Sequence, residues 1–327
     1  MKGCLVPLVT APWKATLTDG EHSLIFYALV VAGLALGAYA IKSWVSRSEI
    51  GPRYRPAVYA SLCITAVAFL SYVVLVLKFD LGYDPTGNGD WQPNSDAILS
   101  YIPRLMDWSV TVPLLMVELI AVSVLAGARA RRIRFIGMAA AFGMIFTGYL
   151  GGVVVNGGED LGTLWLWGLI SSAFMVILYV LMVYVLVATK REVSRETGTV
   201  YHNAVILLMV VWFAYPVVYA FHGYQEGGEW TTAMQVILSA ADIDAKVGFR
   251  VMIHKVAKLR TAEDVAKGED EHPESIWTSS VKRASAVLPP MKDSSAPSSQ
   301  DPSLLIVDVE PTGTANGQRH PGRPGTR

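Results

Sequence analysis

The chain is poor in charged residues and in cysteine, and each shortage excludes a class of protein. Charged residues make up 17% of the 327 residues, hydrophobic residues make up 52%, and the mean hydropathy is +0.39. This composition excludes an ordinary soluble domain and predicts a polytopic membrane protein. The two cysteines, Cys4 and Cys63, lie in an N-terminal arm and in an apolar segment, which excludes a disulfide framework and a cysteine metal site. The formal net charge of zero gives no electrostatic preference for nucleic acid.

Two further patterns are missing. No apolar segment shows the alternation of a barrel strand, and the N-terminus lacks the basic-then-apolar run of a cleaved signal peptide. The chain instead contains seven apolar segments long enough to cross a bilayer as helices. We therefore predict an all-α, seven-transmembrane helix bundle in the plasma membrane. Its spans one to seven cover about 23–46, 56–79, 102–126, 132–155, 161–189, 202–223 and 232–257.

The connecting loops differ in charge between the two sides of this predicted bundle. The loops after spans one, three and five are basic and contain Lys42, Arg47, Arg53, Arg55, Arg129, Arg131, Arg132, Arg134, Lys190, Arg191 and Arg195. The opposite loops are acidic, with residues such as Asp84, Glu159 and Glu226. Because basic loops remain in the cytoplasm, we expect the N-terminus outside and the C-terminus inside. Spans three and seven then both run inwards.

The composition also divides the chain into three parts. Residues 1–21 form an extracellular N-terminal arm, and residues 22–261 form the membrane domain. Residues 262–327 are rich in Ser, Pro, Gly and charge, which predicts a disordered cytoplasmic tail without a folded output domain. We expect the bilayer and protons as partners, a homo-oligomer, and a cytoplasmic protein that could bind the tail.

The last span carries charges that hydrocarbon disfavours. Asp242 and Lys246 are four residues apart, so they share a face of a helix. Ionisable residues inside a span usually have a function. An amine held in a dry pocket beside a carboxylate can form a Schiff base with an aldehyde cofactor.

Span three carries a line of polar residues on one face, at Arg104, Asp107, Thr111 and Glu118. Asp107 and Glu118 are eleven residues apart in the sequence, or about 16 Å along a helix. Two carboxylates at this separation can flank a central group, one on each side. The alternative, that these residues only pair and pack the bundle, fits Arg104 better than it fits the whole line.

Aromatic residues could enclose a flat conjugated ligand. Trp212, Tyr215 and Tyr219 lie on one face of span six, Pro216 should kink that helix, and Trp108 would add a wall from span three. The hydroxyl groups of Tyr72 and Tyr215 could donate hydrogen bonds to a buried carboxylate such as Asp242.

These motifs together resemble those of a microbial rhodopsin. Three patterns match, and they are Arg-x-x-Asp-Trp-x-x-Thr-x-Pro-Leu from Arg104 to Leu114, Trp-x-x-Tyr-Pro from Trp212 to Pro216, and Asp-x-x-x-Lys at Asp242 and Lys246. The segment 146–151 and the long second extracellular loop resemble the proteorhodopsin and xanthorhodopsin branch. The resemblance covers residues from about 22 to 260.

The resemblance implies a role for each matching residue. Lys246 would bind all-trans retinal as a Schiff base, with Asp107 as counterion and proton acceptor and Asp242 as second counterion. Arg104 would support the outward carboxylates, and Glu118 would be the proton donor on the cytoplasmic side. Asp107, Thr111 and Glu118 form the set seen in proteorhodopsin-like outward proton pumps. Leu115 occupies a position where leucine accompanies green rather than blue absorption.

The sequence departs from the branch in places. The stretch 69–72 lacks the histidine that pairs with the counterion elsewhere. Arg250 lies one turn beyond Lys246, where it could favour an ionised Glu118 and weaken it as a donor, or could instead snorkel to the surface or pair with another carboxylate. His254 could shuttle protons or be interfacial. Asp244 points away from Lys246, towards a polar contact with a neighbouring helix or a modified ion pathway.

Two functions remain open at this point, and neither is that of an enzyme. The first is a light-driven outward proton pump, and the alternative is a sensory photoreceptor that signals through a partner protein. Asp107 disfavours a chloride pump, because an acid occupies the position that is neutral in chloride pumps. Gly168 in span five would leave room for a carotenoid antenna, although Trp167 beside it could fill that space.

Overall fold

The computed structural model describes residues 9–270, and these form the predicted seven-helix bundle. Seven long rods cross the bundle, and the last consists of two helices joined end to end by the π-helical turn Asp244–Gly248. We call this continuous rod helix seven. The helices are α1 (Asp19–Val45), α2 (Arg55–Gly82), α3 (Ile102–Ala121), α4 (Gly127–Tyr149), α5 (Leu161–Lys190), α6 (Arg195–His222), α7 (Gly227–Ile243) and α8 (Phe249–Ala266).

Several predicted boundaries differ from the structure, among them the start of α6 at Arg195 rather than 202 and the end of α3 at Ala121 rather than 126. Helix α4 begins at Gly127, so the four arginines from Arg129 to Arg134 lie on its first turns rather than in a loop. Helix α8 continues to Ala266, five residues past the predicted end of the membrane domain at 261. The differences in α4 and α8 arise because polar residues extend these helices beyond their apolar part. The predicted disordered tail lies outside the described residues from 271 onwards.

Short elements connect the helices. Three-residue or four-residue 3₁₀ helices cover Pro12–Lys14, Ser46–Glu49, Ala97–Ser100 and Val155–Gly158, and a second π-helical turn covers Leu150–Val154. The strands β1 (Leu17–Thr18), β2 (Tyr83–Pro85) and β3 (Asp90–Pro93) form an antiparallel sheet in the order β1-β3-β2. This sheet was absent from the all-α prediction, because strands so short carry no readable alternation. We call the end of the bundle that holds residues 9–18 the N-terminal face, and the end where α8 stops the C-terminal face.

The surface of the bundle is apolar and its interior contains charge. Leu34, Leu70 and Val210 are each more than 60% exposed, whereas Arg104, Lys246 and Arg250 are at most 2% exposed. The five helices α1, α2, α4, α5 and α6 are long and apolar enough to cross a membrane by composition alone. The remaining two rods, α3 and helix seven, carry the buried ionisable residues that lower their hydropathy. The departure from a simple apolar span therefore marks the two rods that carry the candidate functional residues.

Side-chain contacts anchor helix seven at the C-terminal face. Tyr54, which precedes α2, donates a hydrogen bond to Asp264 Oδ2 at 2.7 Å and accepts one from Arg260 Nε at 3.1 Å. Burial raises the pKa of Tyr54 to about 12, with Asp264 adding to the increase. The phenol therefore stays a neutral donor at physiological pH. These contacts hold the end of α8 against the connection between α1 and α2.

Candidate functional site

Lys246 lies in the π-helical turn of helix seven, in the interior of the bundle. The turn is widened because the Phe249 N–H donates to the carbonyl oxygen of Asp244, five residues earlier. The Lys246 amine is 1% exposed and forms a direct ion pair with Asp107 of α3. Its Nζ atom also lies 3.3 Å from Asp242 Oδ1. The structure therefore brings together the one lysine and the two aspartates that the motifs singled out.

Asp242 is the most heavily coordinated member of this group. Its Oδ2 atom accepts a hydrogen bond from the Tyr72 hydroxyl at 2.7 Å. Its Oδ1 atom accepts hydrogen bonds from Trp108 Nε1 at 2.9 Å and from the Tyr215 hydroxyl at 3.1 Å. The predicted hydrogen bonds from both tyrosines are confirmed. The bond from Trp108 was not predicted, because that side chain was expected only as an apolar wall.

Arg104 extends the charged group towards the N-terminal face. Its Nε atom lies 3.7 Å from Asp242 Oδ2, and its terminal nitrogens donate to Gln235 Oε1 at 2.6 Å and Ser239 Oγ at 3.1 Å. We call Lys246, Asp107, Asp242 and Arg104 the lysine cluster. It contains two cations and two carboxylates, so its formal charges balance.

Thr111 lies on the polar face of α3, but its hydroxyl bonds to the backbone of its own helix. Its hydroxyl donates to the backbone carbonyl oxygen of Asp107 at 3.0 Å, one turn earlier in α3. Asp107 Oδ1 is buried without a hydrogen-bond partner among the described residues. The carboxylate that touches Lys246 therefore keeps one free acceptor.

An aromatic cavity of about 210 Å³ opens beside the Lys246 amine. Apolar and aromatic side chains dominate its walls, and the polar end is formed by Lys246 and Asp242. The predicted cofactor-binding residues that line it are Trp108, Leu115, Trp212, Tyr215, Pro216 and Tyr219. Tyr72 is not among the lining residues and contributes only through its bond to Asp242. A flat conjugated molecule attached to the amine would fit this arrangement, because rings enclose the space and the only charges lie at one end.

Glycines at two helix contacts let aromatic side chains pack closely beside this cavity. A Cβ atom on Gly168 would lie 2.9 Å from Cε1 of Tyr219, so the Tyr219 ring occupies that side of α5. Trp167 packs against Gly151 of the other π-helical turn, where its Cβ lies 2.4 Å from the place of a Cβ atom on that glycine. Gly168 itself lines the aromatic cavity. The space at Gly168 is therefore taken by the Tyr219 ring, which neither of the two expectations for this position named.

Glu118 and Arg250 form a second buried ion pair, which we call the arginine pair. Arg250 Nε donates to Glu118 Oε2 at 3.0 Å, and both side chains are at most 1% exposed. Arg250 Nη1 also donates to the backbone carbonyl oxygen of Lys246 at 2.8 Å. Of the two readings of Arg250, snorkelling to the surface is wrong and contact with Glu118 is confirmed. The guanidinium lies between the donor candidate and the lysine backbone.

Two other residues that were open in the sequence also have defined places. Asp244 is exposed on the outer side of helix seven, and the predicted polar contact with a neighbouring helix is absent among the described residues. The His254 ring is mostly buried, and its Nε2 atom lies 3.3 Å from Glu49 Oε2. Glu49, Gln235 and Ser239 were not predicted. Gln235 and Ser239 precede Asp242 by seven and three residues, so their position on the same helical face was an available signal.

Comparison with known proteins agrees with this geometry. The family described as bacteriorhodopsin-like protein matches residues 21–259. Bacteriorhodopsin-I of Haloarcula marismortui is 30% identical over 241 residues, which cover 70% of this chain and 88% of that protein. The green-light absorbing proteorhodopsin of Gamma-proteobacterium EBAC31A08 is 25% identical over 268 residues, covering 78% and 94%. The crystallographic structure of xanthorhodopsin, described as a light-driven ion pump with dual chromophore, has a TM-score of 0.68 at 29% identity and covers 76% of this chain and 98% of that one.

The fold, the site and the relatives show that this is a multi-pass plasma-membrane protein of the microbial rhodopsin type and not an enzyme. The chain belongs to the bacteriorhodopsin-like family. Members of this family use retinal as their chromophore. The side chains around Lys246 fit such a group, since the lysine amine lies at the polar end of an aromatic cavity.

Proposed function

We propose that the protein is a light-driven outward proton pump in which retinal is attached to Lys246. The observation that carries the proposal is the direct contact of the Lys246 amine with Asp107, at the end of an aromatic cavity. Retinal supplies light absorption and a change of shape when it is bound. The protein supplies an acceptor and a donor, and each of these corresponds to a residue already described.

Asp107 is the proton acceptor in this proposal. In the dark, the cationic nitrogen of Lys246 stabilises the Asp107 carboxylate, and Asp242 shares the charge from 3.3 Å. When light weakens the contact between the Lys246 nitrogen and Asp107, that stabilisation falls and the carboxylate becomes the favoured site for the proton. Arg104, Gln235 and Ser239 then form the polar route towards the N-terminal face, which the basic loops of the opposite side predict to be extracellular.

Glu118 is the proton donor from the opposite side. It lies about three helical turns from Asp107, so the Lys246 nitrogen has one carboxyl group on each side. The guanidinium of Arg250 at 3.0 Å favours the ionised form of Glu118. We therefore expect Glu118 to deliver a proton to Lys246 only after it has received one from the C-terminal face.

The direct test is to illuminate retinal-loaded cells or vesicles and record the external pH. We expect acidification outside cells, with the signal removed by a protonophore. Asp107→Asn, which should keep the chromophore and lose the acceptor, is the matched negative control. A retinal-bound preparation with no light-dependent pH change would contradict the proposal.

A sensory photoreceptor is the second candidate, and the arginine pair is the observation that favours it. A donor held in its ionised form by a guanidinium predicts slow return of the proton and a long-lived signalling state. Residues 271–327 could then bind a cytoplasmic partner. Deletion should start at 271 rather than 262, because Glu263 and Asp264 make contacts that hold helix seven. A fast photocycle unchanged by this deletion would argue against the sensor.

A carotenoid antenna and homo-oligomerisation stay predictions within this proposal. The similarity to xanthorhodopsin, which is described as a light-driven ion pump with dual chromophore, supports the antenna. The exposed Asp244 supports an oligomer, because a carboxyl group facing hydrocarbon is unfavourable unless another molecule covers it. Energy transfer from a bound carotenoid, seen in the excitation spectrum, would test the antenna.

A further inference from the structure

A small polar cavity lies on the side of Glu118 that faces away from Lys246. Its volume is about 10 Å³, which is close to the minimum for one water molecule. Its polar wall comes from four helices, with Ser43 on α1, Ser61 on α2, Glu118 on α3 and His254 on α8. A water molecule in this space would have the two to four polar partners that buried water requires. Glu118 is therefore closed towards Lys246 by Arg250 and open towards His254.

His254 connects this cavity to the C-terminal face. Its Nε2 atom lies 3.3 Å from Glu49 Oε2, and Glu49 also accepts a hydrogen bond from Lys258 Nζ at 2.7 Å. The side chain of Glu49 is 33% exposed, that of His254 is 19% exposed and that of Glu118 is 1% exposed. Exposure thus falls from Glu49 through His254 to Glu118. The three groups form a graded path from the surface to the buried carboxyl group.

The charges around His254 are mixed. Histidine is the side chain that ordinarily changes protonation near neutral pH. Carboxyl groups face it from the turn after α1 and from α3, cations face it from α1 and from its own helix, and α2 contributes only Ala57, Val58 and Ser61. The charged groups are Glu49, Glu118, Lys42, Lys258 and Arg250. Glu49 contacts the imidazole and Glu118 lines the same cavity, so each carboxylate can exchange a proton with it, directly or through water.

We propose that Glu49 and His254 form a proton-collecting site that loads Glu118. This inference rests on the proposed pump function and deepens it. The imidazolium of His254 gives one proton, through water in the small cavity, to the carboxylate of Glu118, which becomes a carboxylic acid. The neutral imidazole then takes a replacement proton from the cytoplasm by way of Glu49. Loading Glu118 neutralises it beside Arg250 and prepares the donor for Lys246.

The test uses the full-length, retinal-bound protein in lipid vesicles and follows, after a flash, the step in which the Lys246 nitrogen regains its proton. His254→Gln keeps a hydrogen-bonding side chain but cannot carry a proton. We expect the rate of this step to fall about a hundredfold. The fall in rate should be largest at alkaline pH, where bulk protons are scarce. Glu49→Gln should slow the same step less. His202→Gln, a histidine on α6 that contacts Asn203, is the matched control and should leave the rate unchanged.

Chemical rescue separates proton transfer from a structural role. Added imidazole should restore the rate in His254→Gln, because a small base can carry the proton through the cavity. An unchanged rate in His254→Gln at every pH would overturn the proposal, and so would a slow rate that imidazole does not restore. If His254→Gln does not bind retinal, Glu49→Gln is measured in its place. The same two results, an unchanged rate or a slow rate that imidazole does not restore, would then overturn the proposal. Absence of pumping in the unaltered protein would instead contradict the pump itself.

Discussion

The lysine cluster and the arginine pair are both buried ionic groups, but they are built in opposite ways. In the lysine cluster, Asp242 alone receives three hydrogen bonds and lies near two cations. In the arginine pair, Glu118 has Arg250 as its only salt-bridge partner among the described residues. The first group has several ionic contacts, whereas the second has one, between Arg250 and Glu118.

This difference separates two ways of keeping charge inside a membrane protein. Loss of either aspartate leaves Lys246 with the other carboxylate, and Arg104 keeps hydrogen bonds to two neutral side chains. An isolated pair leaves its partner uncompensated when one member is removed. In the proposed pump, the lysine cluster is therefore suited to a site where a proton leaves the Lys246 nitrogen. The arginine pair is suited to a donor that stays ionised until a proton arrives.

The largest expected effect comes from removing the centre of the network. Lys246→Ala should abolish the covalent visible chromophore completely, because no other buried amine is available beside the aromatic cavity among the described residues. Absorption after addition of retinal and hydroxylamine measures this. Lys255→Ala, an exposed lysine on the same rod, is the control and should keep the full band. A covalent band in Lys246→Ala would contradict the attachment site.

Neutralising the acceptor should remove transport without removing the chromophore. In Asp107→Asn we expect a shift of the visible band to longer wavelength, because the ground state loses the carboxylate that stabilises the cationic nitrogen. Light-driven acidification should disappear. Asp244→Asn is the control, since this exposed aspartate lies two residues from Lys246 and has no salt bridge among the described residues. Equal spectra for Asp107→Asn and the unaltered protein would exclude the counterion role.

The free energy of unfolding should distinguish the arginine pair from the lysine cluster. Glu118→Gln leaves the Arg250 charge buried alone and should lower the free energy of unfolding by about 3–5 kcal/mol. Asp242→Asn should lower it by only about 1–3 kcal/mol, because Asp107 still pairs with Lys246. Loss of the helical circular dichroism signal with temperature measures both.

The double variant Glu118→Gln/Arg250→Gln provides the check on this stability comparison. It should recover part of the loss, since it removes the uncompensated charge. If Asp242→Asn lowered the free energy of unfolding more than Glu118→Gln does, the other members of the lysine cluster would not compensate for the loss of Asp242.

The smallest expected effect concerns colour. Leu115 lines the aromatic cavity and is 1% exposed. Leu115→Gln should move the visible band to shorter wavelength, because an amide dipole in the cavity wall changes the field on the bound chromophore. Transport should remain. The absorption spectrum of the purified protein measures the shift, and an unchanged band would place Leu115 outside the chromophore's influence.

Much of the fold and the centre of the site could be predicted from sequence. Helix length follows from apolar runs, and the spacing of Asp242 and Lys246 fixes a shared face. The partners of those residues could not be read in the same way. That Trp108 donates to Asp242 depends on the rotation of α3 against helix seven, and that His254 meets Glu49 depends on a contact between residues 205 positions apart. Periodicity gives the face of a helix but not the neighbour that the face meets.

The short elements at the N-terminal face were missed for another reason. Strands β1 to β3 are two to four residues long, and their order depends on pairing between Leu17 and Trp91, far apart in the chain. Segments of that length contain too few positions to show a period. The π-helical turn at Lys246 could not be predicted from the sequence either. A turn with one added residue has no residue pattern of its own that would indicate it.

That π-helical turn has a mechanical consequence. The carbonyl oxygen of Lys246 accepts a bond from Arg250, and the same guanidinium holds Glu118. A displacement of the Lys246 backbone would therefore move the Arg250 guanidinium and, through it, the Glu118 carboxylate on α3. One arginine side chain thus links the position of the helix seven backbone to that of a carboxyl group on another helix.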